Sequence, residues 1–102
     1  MCGRFALVSS SEDLLRHFKV ACGKTSNLQR WNVAPSQEIV ALCHDADLGA
    51  PGFAPLFWGF VPSWAQASGK ARPMINARAE TVAEKPSFRA AFQRRRAIIP
   101  VT

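Results

Sequence analysis

Glu38-Ile39-Val40-Ala41-Leu42-Cys43-His44 and Phe53-Ala54-Pro55-Leu56-Phe57-Trp58-Gly59-Phe60 flank a stretch of turn-forming residues, Asp45-Ala46-Asp47-Leu48-Gly49-Ala50-Pro51-Gly52. The first run is almost continuously apolar between its polar ends and reads as a strand. The stretch after it supplies Asp, Gly and Pro, which punctuate regular structure. The second run reads as a returning strand, so the two are predicted to form a β-hairpin whose register the sequence leaves open.

Towards the N-terminus, Trp31-Asn32-Val33-Ala34-Pro35-Ser36-Gln37 is predicted to be an extended turn, with Ala34 kept out of the helical region by Pro35. Residues 21–30 are polar, contain Gly23 and are predicted to be a loop. Before them, Leu14, Leu15 and Phe18 fall on one helical face, and Ser9 with Glu12 has capping-box spacing. Phe5-Ala6-Leu7-Val8 reads as a short strand.

Towards the C-terminus, Val61-Pro62-Ser63-Trp64 leaves the hairpin with an aromatic at its exit, and residues 65–73 form a loop. Met74 to Thr81 is extended. Pro86 suits a first helical turn, with Phe88, Ala91 and Phe92 at helical spacing behind it. Arg94-Arg95-Arg96 sits at the end of that helix, where the macrodipole favours cations. Ala97-Ile98-Ile99-Pro100-Val101 starts a buried strand. Such a strand needs a later partner, so the 102 residues are expected to be the N-terminal part of one domain.

No apolar run approaches the roughly 20 residues that span a bilayer, and the N-terminus lacks the layout of a secretion signal. A cytoplasmic protein is expected. The formal net charge is +6, and its placement says more than its size. Residues 1–69 are balanced, whereas residues 70–102 hold eight Lys and Arg against Glu80 and Glu84. A local positive field of this kind suits a polyanion or a solubilising face. Cys2, Cys22 and Cys43 have no paired spacing, which argues against a disulfide framework. Cys43-His44 with Cys22 and His17 lacks metal-ligand spacing, so neither a metal nor a cofactor is expected.

Cys2 stands directly behind Met1. Removal of the methionine would leave an α-amine and a thiol on neighbouring carbons, both with usable nucleophilic fractions near neutrality. An aldehyde condenses with such an amine to an imine, and the thiol then closes a thiazolidine ring that traps it. A buried, inert cysteine is the plain alternative. Asn32, Asn76 and Arg78 are polar residues in apolar or extended surroundings. Asn76 and Arg78 lie two apart and share a face in a strand, where an amide could orient the amine and a guanidinium hold a phosphate. An Asn76 loop cap and an Arg78–Glu80 pair would explain the same residues structurally. Trp58 reads as core. Trp64, in a loop, reads as an exposed ring suited to stacking on an unpaired base.

Five ordered blocks carry a resemblance: Met1-Cys2-Gly3-Arg4-Phe5, Trp31-Asn32-Val33-Ala34-Pro35, Trp58-Gly59-Phe60-Val61-Pro62-Ser63-Trp64, Ile75-Asn76-Ala77-Arg78-Ala79-Glu80-Thr81 and Lys85-Pro86-Ser87-Phe88. Together they closely resemble the SOS-response-associated peptidase (SRAP) family along the whole chain. The resemblance implies an α+β fold with a barrel-like antiparallel sheet and flanking helices. It implies a sensor of abasic sites in single-stranded DNA, bacterial and nucleoid-associated, that shields the lesion as a thiazolidine crosslink. Cys2 matches the nucleophile and Asn76 the active-site asparagine. Arg4 and Arg78 match phosphate-binding arginines, and Trp64 lies in the segment that presses against flanking bases. Pro35, Ser36, Arg72 and Glu80 complete the expected DNA-facing set, Glu80 as an orienter of Arg78. The family name further implies self-removal of Met1 as an autopeptidase. Family members are about twice as long, and the resemblance places a glutamate and a histidine of the site in the part this sequence lacks. Ala65 stands where some relatives have a second tryptophan. The reading to set against crosslinking is a single-stranded DNA binder that makes no covalent bond.

Overall fold

A computed structural model describes residues 2–20, 29–45, 49–66, 69 and 72–102. The hairpin is its largest element. Strands β3 (Glu38–Asp45) and β4 (Ala50–Phe57) pair antiparallel in unbroken register from Glu38 opposite Phe57 to Asp45 opposite Ala50. The returning strand therefore begins earlier than predicted, because Ala50, Pro51 and Gly52 belong to it.

The register has a physical reason. Leu42 exchanges both backbone hydrogen bonds with Ile98, at 2.8 and 2.9 Å, across a bridge on the far edge of β3. Its polar groups therefore face away from β4, and its partner Phe53 occupies a non-hydrogen-bonded pair. Pro51 and Pro55 lie two positions either side of Phe53 and fall in pairs of the same kind. Their missing N–H groups point to the open edge of β4, where a proline costs no ladder bond.

The second sheet pairs β1 (Phe5–Leu7) with β2 (Arg30–Val33), antiparallel, with an irregularity between Phe5 and Leu7. Trp31-Asn32-Val33 is thus strand rather than turn, and the turn begins at Ala34. The predicted loop at 21–30 lies outside the described residues up to Leu28 and ends in β2. Helix α1 (Ser11–Phe18) follows β1, with Ser10 rather than Ser9 as its N-cap. The Ser10 hydroxyl accepts from the Asp13 amide at 3.1 Å, so the Ser-x-x-acid spacing acts one residue later than the Ser9–Glu12 reading. Lys19 closes the helix in the left-handed conformation.

The core sits where α1 meets the two sheets. Leu7, Leu14 and Phe53 are buried together, with Phe5, Leu15, Phe18, Val20, Val40 and Leu42 packed around them. Phe18 meets Phe53 edge-on at 5.8 Å.

Beyond β4, Trp58 prolongs the ladder: its N–H donates to Gln37 O and its own carbonyl accepts from Ser36 N, both at 3.0 Å. Trp58 is half-buried rather than fully core. Gly59 then turns at φ +153°, and Phe60 forms an isolated bridge with Met74. Helix α2 (Ser63–Gln66) carries Trp64, and α3 (Arg89–Arg94) begins later than the Pro86 signal suggests, behind a series of turns.

The α+β class holds, while a barrel is not seen among the described residues and the expectation of a buried C-terminal strand is corrected in part. Four strands in two two-stranded sheets do not close a barrel among the described residues, because their outer edges are largely unpaired. In the Ala97–Val101 segment only Pro100 is buried, and Ala97, Ile98, Ile99 and Val101 are exposed. Among the described residues its ladder contact is the Ile98 bridge to Leu42, and Ile98 and Val101 are 56% and 60% exposed.

Candidate active site and nucleic-acid interface

Cys2 is exposed and its thiol is free, lying 3.8 Å from the carbonyl of Arg4. Strand β1 holds this stretch against β2, which presents Asn32 to Arg4: the guanidinium donates to the Asn32 amide oxygen at 3.1 Å. Phe5 packs on Trp58 with ring centroids 5.4 Å apart. The Trp58 indole N–H reaches the Ile75 carbonyl at 3.4 Å, immediately before Asn76.

Trp58 is therefore the hub of the site. Its backbone grips Ser36 and Gln37, its ring touches the strand behind Cys2, and its nitrogen holds the segment that carries Asn76 and Arg78. One half-buried residue ties together three of the five blocks that stood out in the sequence. Sequence reasoning treated it as core filler. The signal was available in its position, between the apolar strand and a glycine that ends it.

Asn76 is exposed and borders an open cavity of about 450 Å³ lined by Trp58, Phe60, Ile75, Phe88 and Phe92 among others. Arg78, Glu80 and Arg72 are all exposed. Among the described residues the ion pair found is Arg16 with Asp13, and none joins Arg78 to Glu80. Pro35 is half-buried, and Ser36 is exposed at φ +69°, a left-handed conformation uncommon for a non-glycine residue. Trp64 is 71% exposed on α2. Trp31 is 81% exposed on β2, a second open ring beside Asn32 that the sequence reading did not single out.

The arrangement thus offers an open thiol, an arginine fixed beside it, two exposed indoles and a basic C-terminal third. Arg96 of that third lies over the Phe92 ring at 5.4 Å. Among the described residues no group of three or more His, Cys, Asp or Glu side chains gathers to hold a metal, and no helix is long and apolar enough to cross a membrane.

The family model for SOS response associated peptidase (SRAP) matches residues 1–102. The chain belongs to the SRAP family. The SRAP chain is 42% identical over 102 residues to the abasic site processing protein YoaM of Bacillus subtilis (strain 168), covering 98% of this chain and 44% of that protein. It is 35% identical over 104 residues to the abasic site processing protein YedK of Escherichia coli (strain K12), covering 96% and 44%. A crystal structure of a protein from Bordetella bronchiseptica superposes with a TM-score of 0.71 at 20% identity, covering 98% of this chain and 48% of that one. That likeness supports the mixed α+β fold. The SRAP chain spans somewhat under half the length of the curated relatives it matches.

Proposed function

We propose that this chain is the part of an SRAP domain that detects abasic sites in single-stranded DNA and captures them covalently through Cys2. The observation that carries the reading is the exposed, free thiol one position behind Met1, in a chain matched by the SRAP model from end to end. Its relatives are named for abasic-site processing.

Hydrolysis of the Met1–Cys2 peptide bond consumes one water, releases methionine and frees the Cys2 amine. The amine attacks the aldehyde of the ring-opened abasic sugar, and loss of water gives an imine. The Cys2 thiol adds to the imine carbon while its proton passes to nitrogen, which closes the thiazolidine. The linkage forms a C–N and a C–S bond and needs no redox partner. Asn76 orients the amine or the aldehyde oxygen. Arg4 and Arg78 hold phosphates, Arg72, Pro35, Ser36 and Glu80 complete the DNA-facing set, and Trp64 props the bases beside the lesion. The cytoplasm, at the nucleoid, is the compartment this role requires.

Mass spectrometry of the chain before and after incubation with an abasic single-stranded oligonucleotide tests the proposal. The expected result is a chain lacking Met1 that gains the oligonucleotide mass less one water, with no adduct for Cys2→Ala. Retained Met1 with no adduct ends it. A second reading is favoured by Trp31 and Trp64, both largely exposed. In that reading the chain binds single-stranded DNA by stacking and charge alone, and Cys2→Ala changes neither affinity nor its salt dependence.

A further inference from the structure

We infer that β2 is a positioning strand for the DNA-facing side: Asn32 aims Arg4, and Arg30, acting through Gln37, fixes the Pro35–Ser36 turn. The inference rests on the function proposed above.

Arg30 and Asn32 lie two apart in β2 and share a face of the strand. Each supports an element expected to meet DNA. The Asn32 amide oxygen takes one donor of the Arg4 guanidinium at 3.1 Å. A guanidinium has five N–H donors, so this contact restrains Arg4 and leaves other donors for a phosphate. An unrestrained arginine near a chain end would have to be ordered each time DNA binds, and that cost weakens association.

Arg30 resembles a further phosphate ligand by charge alone. Its geometry says otherwise. It is half-buried, and both arms are engaged inside the chain: Nη1 donates to the Glu38 carbonyl at 3.0 Å and Nη2 to Gln37 Oε1 at 2.7 Å. The same Gln37 oxygen accepts from the Ala34 N–H at 3.0 Å, so it spans the turn from end to end. Within that turn Ser36 is held at φ +69°. Such a conformation persists where surrounding contacts over-determine it. Here they are the Gln37 side chain, fastened by Arg30, and the backbone bonds to Trp58.

The test measures binding of an abasic single-stranded oligonucleotide across a salt series, and the crosslinking rate at saturating DNA. Arg4→Met is expected to flatten the salt slope by about one ion, as loss of a phosphate contact does. Asn32→Ala should weaken binding about twofold to tenfold, the range set by one hydrogen bond, and add nothing once Arg4→Met is present. Arg30→Met should weaken binding with an unchanged salt slope. Arg30→Lys should recover part of the loss by reaching one of the two acceptors. The saturated crosslinking rate should stay constant for Asn32→Ala and Arg30→Met. Equal losses from Asn32→Ala with and without Arg4 would overturn the first half. A flattened slope for Arg30→Met would make Arg30 a phosphate ligand and overturn the second. A parent chain that neither binds nor crosslinks defeats the proposed function and this inference together. A parent that does both, with additive variants, defeats the inference alone.

Discussion

Gly59→Ala should be among the most damaging small substitutions in this chain. A Cβ built at Gly59 lies 2.8 Å from a Phe57 ring carbon and 2.8 Å from Pro73 Cβ. Neither neighbour is the free end of a flexible side chain, since one belongs to an aromatic ring and the other to a pyrrolidine. Overpacking of this kind costs about 1–3 kcal/mol. The backbone adds to it, because φ +153° lies in a region that is almost glycine-only and costs on the order of 1–3 kcal/mol for another residue. A loss of about 3 kcal/mol or more is expected, which lowers the melting temperature by about 12–24 °C in a domain of this size. Gly49→Ala is the control. Gly49 is left-handed at φ +62° but has nothing within 4 Å of its added Cβ, so about 1 kcal/mol of backbone strain is expected. Urea unfolding of the parent and both variants reads the difference. A Gly59→Ala chain within about 0.5 kcal/mol of the parent, or no worse than Gly49→Ala, would refute the packing argument.

Ser10→Ala should cost about 1 kcal/mol in the same unfolding assay by orphaning the Asp13 amide, whereas Ser9→Ala should spare that cap. Trp58→Phe keeps a ring against Phe5 but loses the N–H to Ile75 O, and about 0.5–1.5 kcal/mol of stability should go with it. Peptide amide exchange around Ile75 should quicken in that variant. Phe57, Ile98, Ile99 and Val101 are exposed apolar groups, so sedimentation at rising concentration should show self-association of the 102-residue chain, and Ile99→Lys should reduce it. A monomer at every concentration would contradict that expectation.

The hairpin was legible because its signals agreed: an apolar run, a turn-rich stretch and a second run. The two-plus-two spacing of Pro51 and Pro55 about Phe53 limits which positions can be non-hydrogen-bonded pairs, but registers shifted by two residues satisfy it equally, so the register itself stayed open. The cap slipped by one because Ser9-Ser10-Ser11 offers three hydroxyls in a row, and only backbone geometry selects among them. Trp31-Asn32-Val33 read as a turn because a strand this short has no periodicity to show. Ala97–Val101 read as buried throughout from composition, which registers apolarity but not which residues a neighbour covers: Pro100 is buried and the rest are exposed. At the site, Cys2, Arg4 and Asn76 stood out through local context and family resemblance. The contacts that organise them were not visible, because Arg4–Asn32 spans 28 positions and Trp58–Ile75 spans 17, and no local pattern reports such pairings.

The last residue also bears on the first ones. Thr102 donates its amide to the Ala6 carbonyl at 2.8 Å, and its hydroxyl accepts from the Val8 amide at 2.9 Å. Head and tail of these 102 residues are thus buckled together on the side of β1 that β2 leaves vacant. An affinity handle or fluorophore attached after Thr102 would hang close to the root of the cysteine-bearing end. Loosening that buckle would let the reactive end fray, however far away along the chain the disturbance was made.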